Sequence, residues 1–251
     1  MALQTRTRAR IKNLLLDKLN EKLDSHTAET EYKPFFQAIF NERQVVAASV
    51  IQSFYTSFGM SIYEQMAVML AEGNGFQAER QHLLLGQIDK KTEALISQIH
   101  RNLRSGTVAN SKEEVRLIRA AIAKGAPKKD PDSIIDLYLK AKNGHEYYFG
   151  ITTVKPNKEG FETHKRKLLR WVGLRLSQDK SANISVATVI PYNPYYPKPY
   201  SRFASSTLFD KDQLLVQEAF WDFVGGEGAF DWLISICREV GLELRQKIDS
   251  L

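Results

Sequence analysis

Cysteine is almost absent: Cys237 is the one thiol in 251 residues, so no disulfide can close within the chain. A reducing cytoplasm is therefore the expected compartment. Cys237 sits in an apolar helical pattern and reads as a core thiol rather than a nucleophile. No apolar run approaches the roughly 18 residues that a membrane span requires. Near the start, Arg6, Arg8 and Arg10 are followed at once by Asp17, Glu21 and Asp24 without an apolar signal core. That segment reads as an amphipathic helix, not a targeting peptide. A zinc-type Cys/His cluster, a dinucleotide fingerprint and an assignable Ser-His-Asp spacing are all missing. Gly225-Gly226-Glu227-Gly228 lacks the strand and lysine of a phosphate-binding loop and reads as a helix break. The eight prolines are too few to suggest disorder.

What is present is ordinary in amount, with 43% hydrophobic and 25% charged residues, as in a soluble globular protein. The balance of charge is +6, which favours polyanionic partners, nucleic acid among them. Residues 1–124 read as mainly helical. Ile11, Leu14, Leu15 and Leu19 recur at helical spacing, and a longer apolar pattern runs from Val45 to Leu70 until Gly73-Asn74-Gly75 stops it. A third helix is expected over about 88–104, and Ser111 to Glu114 resembles a helix start with Ser111 as its cap. The composition changes at the loop Gly125 to Pro131. Beyond it the pattern predicts a hairpin, a basic helix over about 160–178, a strand over 184–190 and a proline-tyrosine loop. Helices are expected over 213–224 and 230–248, with Trp221 and Trp232 as packing residues. Helices on both sides of a strand cluster imply an α/β core.

The hairpin carries the chemistry. Two alternating arms meet at Asn143-Gly144, and alternate side chains of a strand share a face. Asp136, Tyr138 and Lys140 then lie on one side, and Asp136 falls opposite Gly150. A metal-dependent nuclease needs an acid at one strand end, a second acid on the neighbour, and a lysine two residues further on. Here Gly150 stands at the second position and Thr152 at the third. An ordinary hairpin with a solvated aspartate fits the same residues.

Several segments carry a resemblance. Pro131 to Asp136, Tyr147 to Asn157, Lys165 to Trp171, Pro191 to Tyr200 and Glu218 to Gly226 look like the TdeIII-type type II restriction endonucleases, a group within the PD-(D/E)XK nuclease superfamily. The similarity runs from the Thr56–Glu64 helix to the C-terminus. It implies a restriction-endonuclease-like mixed sheet flanked by helices, formed as one domain over 1–251. It also implies a homodimer in a prokaryotic cytoplasm that hydrolyses double-stranded DNA with Mg2+, at a short GC-rich palindrome. In that pattern the first metal-binding acid maps to Asp136, with Asp132 the competing candidate. Glu64 is the carboxylate that could stand in for the acid missing at Gly150; an exposed helix glutamate is its other reading. The missing lysine has two explanations: an inactivated variant in which Thr152 replaces it, or supply of the charge by Lys155 through an irregular strand.

Two segments could hold DNA. Lys165, Arg166, Lys167 and Arg170 lie within two helical turns, as either a phosphate-contacting face or a merely solvated one. His164 beside them reads as a proton carrier or as a surface or capping residue. In the proline-tyrosine loop, Tyr192, Asn193, Tyr195, Lys198, Tyr200 and Arg202 could meet base edges on a stiff frame, or could simply cover the strand ends.

Overall fold

The computed structural model describes residues 2–25, 34–40, 42–202 and 205–249. The hairpin forms as the pattern predicts. Strand β2, Ile134–Lys140, turns through Asn143-Gly144 into β3, Glu146–Ile151. Gly144 takes φ +83° and Asn143 Oδ1 accepts the His145 N–H, so the turn uses the two residues suited to it. The two strands anchor a five-stranded sheet of order β1-β2-β3-β4-β5. Strand β1, Gln77–Leu83, pairs antiparallel with β2, whereas β4, Ile184–Ile190, and β5, Leu214–Val216, join in parallel beyond β3.

The helices divide between the two faces. Helices α1, Ala2–Ser25, α2, Pro34–Ile39, and α3, Glu42–Ser57, precede a π-helical turn, Phe58–Ile62, that leads into α4, Tyr63–Gly73. The predicted long helix is thus divided before Glu64. Helices α5, Lys90–Arg104, and α6, Ser111–Ala121, follow β1. Helix α6 is capped by Asn110, whose Oδ1 accepts the Glu113 N–H, and not by Ser111. Helix α7, Lys158–Gln178, is the crossover that parallel β3 and β4 require. After β4 come α8, Ser205–Leu208, α9, Glu218–Gly225, α10, Ala229–Glu243, and α11, Arg245–Asp249. One core packs α5, α6 and α7 on the sheet through Ile96, Ile118, Phe161, Leu168, Trp171 and Tyr148. The other packs α1, α4, α9 and α10 through Ile11, Leu70, Leu137, Phe149, Val189 and Phe220.

Two strands were not legible as strands. The first, β1, reads Gln-Ala-Glu-Arg-Gln-His-Leu and is mostly exposed, an edge with no apolar alternation. The second, β5, spans three residues inside a stretch with helical spacing.

The basic run on α7 is not one exposed face, which corrects the reading of Lys165 and Arg170 as groups free to reach DNA. Lys165 is fully buried; its Nζ donates to Glu114 Oε1 and Oε2 at 2.8 and 2.7 Å and to Gln213 Oε1 at 2.5 Å. Burial pushes its pKa down, and the Glu114 carboxylate opposes that shift. Arg170 binds Glu93, Asp130 at 2.6 Å and Asp132 at 2.7 Å. Both side chains join α7 to its neighbours. The C-terminal turns of α7 are also closely overlaid: a Cβ on Gly86 would stand 2.4 Å from the Leu174 carbonyl oxygen. Lys165→Met should destabilise the fold by about 3–5 kcal/mol, since it leaves a buried carboxylate without its cation. Urea unfolding measures this, and Lys165→Met with Glu114→Leu should recover most of the loss.

Candidate active site

Asp136 stands at the start of β2. The pairing Leu137 with Phe149, carried one step further, sets it opposite Gly150. Its Oδ2 accepts the Ile151 N–H at 2.8 Å, so the carboxylate is fastened to the second arm rather than released to solvent. Gly150 in turn pairs with Thr188 on β4. A row of positions therefore crosses the sheet from Asp136 through Gly150 to Thr188. Strand alternation turns this row toward α7, on the same face as Tyr138, Tyr148 and Val186. Thr188 is fully buried.

No side chain leaves Gly150, and α7 closes over it. A Cβ there would lie 3.3 Å from Trp171 Cη2 and 3.5 Å from His164 Nδ1. His164 is thus a half-buried member of the site, not a surface or capping histidine. Burial holds its pKa down, aided by the Lys167 charge, while the Asp136 carboxylate opposes the shift. The Trp171 indole N–H donates to the Asp132 carbonyl at 2.7 Å and fixes the ring over this spot.

Glu64 reaches the same end of the sheet from the other helix layer. It is buried in the first turn of α4, where Gln81 Nε2 donates to it at 2.8 Å and Arg80 Nε at 3.1 Å. Gln81 has φ +52°, an uncommon conformation for a residue with a side chain. Burial raises the Glu64 pKa and repulsion from Asp136 adds to that, against the two hydrogen bonds. The exposed-glutamate reading is excluded. No pattern in the sequence marked Arg80 or Gln81, because their role arises from strand pairing.

The remaining candidates separate. Asp132 is held by Arg170, whereas Asp136 is held by the β3 backbone. Thr152 lies just past the end of β3, and its N–H donates to the Val189 carbonyl at 3.1 Å. Lys155 is exposed, with Nζ 5.8 Å from the centre of the Tyr195 ring. Arg166 is exposed, and Lys167 lies over Trp171 at 5.0 Å. Among the described residues, no three His, Cys, Asp or Glu side chains converge on one metal-sized position.

The proline-tyrosine loop is built onto the segment after β3. Tyr200 Oη donates to the Val154 carbonyl at 3.1 Å, and Arg202 Nη2 donates to the Pro156 carbonyl at 3.0 Å. Asn193 closes the loop on itself: Nδ2 donates to the Lys198 carbonyl and Oδ1 accepts the Tyr195 N–H. Tyr192 is tied to Tyr55 of α3, while Lys198 is exposed. A cleft of about 730 Å³ opens between Asn157, Lys158, Ser201 and Arg202. The hairpin acid, the α7 start and this loop therefore share one end of the molecule.

Residues 3–241 match the family model described as type II restriction endonuclease, HinfI. The chain belongs to that family. It is similar to the type II restriction enzyme HgiCII of Herpetosiphon aurantiacus, 25% identical over 230 residues, 88% of this chain and 82% of that protein. It is also similar to the type II restriction enzyme MjaII of Methanocaldococcus jannaschii, 26% identical over 185 residues, 68% of this chain. A third relative is HgiEI of Herpetosiphon aurantiacus, 28% identical over 120 residues, 45% of this chain. The chain spans 48% of MjaII and 43% of HgiEI. No solved structure matches it. The mixed sheet with helices on both faces is the restriction-endonuclease-like fold expected from this family. No helix of the described residues is long and apolar enough to cross a membrane.

Asp136→Ala should cost about 1–3 kcal/mol, because the Ile151 N–H loses its acceptor in a half-buried setting. Asp136→Asn keeps an acceptor and should cost less. Urea unfolding and exchange of the Ile151 amide hydrogen read both, with faster exchange expected for the alanine variant.

Proposed function

We propose that this chain is a TdeIII-type restriction endonuclease on the PD-(D/E)XK plan, acting on a short GC-rich palindrome in duplex DNA as a homodimer. Its cleavage centre is incomplete. The observation that carries the reading is the Asp136 carboxylate bound to the second hairpin arm opposite Gly150. That is the position of the first acid in such a centre. A Mg2+ ion is held by hard oxygens, and the chain offers too few of them together. Asp136 supplies one carboxylate, Gly150 none, and Glu64 is engaged by Arg80 and Gln81. Thr152 brings no positive charge where a lysine would offset charge developing on the scissile phosphate. These residues do not fit the ion, so no hydrolytic step is assigned to them.

Binding has its own support. Lys155, Lys198 and Arg166 are exposed cations at the end of the molecule that holds Asp136, beside a loop fastened by Tyr200 and Arg202. A preordered loop loses less entropy on docking. A palindromic site calls for a two-fold protein, and Phe35, Ile39, Ile51 and Tyr55 on α2 and α3 are exposed apolar groups suited to a subunit contact. A non-catalytic, sequence-specific DNA-binding protein is the second reading. It is favoured by the closure of Trp171 over Gly150.

Cleavage of plasmid DNA with Mg2+ distinguishes them. The chain itself should cut slowly or not at all, and Thr152→Lys should raise cleavage by about 100-fold, the order of one electrostatic donor. Gly150→Glu with Thr152→Lys should exceed either change alone, after Trp171 yields a few tenths of an ångström. A folded double variant that binds a selected duplex yet stays inert would establish the second reading. A random-sequence duplex pool gives the site, and Lys198→Ala should lower affinity for it about tenfold.

A further inference from the structure

A second cluster of positive charge lies at the other end of α7. Lys90 and Lys91 open α5, and Lys124, Lys128 and Lys129 lie on the loop that follows α6; all five are exposed. The backbone brings these segments together. The Ala123 N–H donates to Asp89 Oδ2 at 3.1 Å, which sets the loop against the start of α5. The Gly86 N–H donates to the Lys128 carbonyl at 2.9 Å, and the Gly125 N–H to the Ser177 carbonyl at 3.0 Å. Lys180, next in line, donates to the Ile122 carbonyl at 3.1 Å. At 1.5 Å per residue, Ser177 stands about 20 Å along α7 from His164.

The acids of this end are already committed. Asp89 accepts from Thr92 and Ala123, and the Thr92 hydroxyl foremost holds its pKa at about 2. Glu93, Asp130 and Asp132 bind Arg170, and Asp179 binds Arg175. None of the five lysines makes an ion pair among the described residues. The five exposed cations are all lysines, compact charges that suit backbone phosphates, not base edges or stacked bases.

We propose that this end is a second duplex-DNA contact, sequence-independent and separate from the recognition loop, acting on phosphates beyond the recognised site or on another stretch of duplex. It rests on duplex DNA as the partner and not on cleavage. The test measures binding of the full chain to a long random-sequence duplex as a function of salt, with a variant carrying Gln at 90, 91, 124, 128 and 129. The affinity should fall at least tenfold near 100 mM salt. The slope of log affinity against log salt should flatten by roughly 3–4, at ~0.9 for each phosphate that is no longer neutralised. A control with Gln at Arg101, Lys112, Arg116, Lys142 and Lys211 makes the same charge change elsewhere and should leave the slope near that of the parent. Equal slopes for parent and the first variant would overturn the proposal, as would equal flattening in both variants. Preference for a selected short duplex is read separately. Its loss would remove the site-specific reading while leaving the slope comparison intact.

Discussion

The register between β2 and β3 is the constraint on which the site depends. One hydrogen bond, from the Ile151 N–H to Asp136, closes the end of that register and aims the carboxylate along the second arm. A slip of one residue would turn every side chain of β3 to the opposite face. Tyr148 would leave the α7 core, and Phe149 would leave the core of α4 and α9. Both cores therefore enforce the pairing, and the position of Asp136 relative to Gly150 follows from burial rather than from any local preference of the aspartate.

Much of this was legible in the sequence because its causes are local. Asn143-Gly144 fixes the turn, and the alternating arms fix which residues share a face, so Asp136 and Gly150 could be paired from the residues alone. The apolar stripe of α7 likewise marked its helix to within two residues. The failures have non-local causes. Strand β1 has no apolar alternation, since it lies at an edge and is held by pairing with β2. Helix α6 starts one residue earlier than expected because Asn110 provides the cap. The burial of Lys165 and Arg170 could not be read from a basic run: their partners Glu114, Gln213, Glu93 and Asp130 are brought in by folding. Glu64 was found through its unusual apolar surroundings, but Arg80 and Gln81 left no signal.

Charge is accordingly divided by function. Lys165 and Arg170 in the middle of α7 serve cohesion, since they tie α5, α6 and the turn before β5 to one helix. Other cations are exposed, among them Lys155, Arg166 and Lys198 near the proline-tyrosine loop and five lysines around the start of α5 and the loop after α6. A composition with net charge +6 could not distinguish these uses, because a buried lysine and a solvated one count alike.

The tight overlay at Gly86 sets a mechanical boundary on divergence. With 2.4 Å between a would-be Cβ and the Leu174 carbonyl, even alanine there would force the long helix outward at its far turns. That helix carries Trp171 one turn before Leu174, and His164 further toward its start, both above Gly150 of the hairpin. Widening the seam there would shift the indole that covers Gly150, so a single methyl group on the segment after β1 would alter how closely that cover fits beside the aspartate.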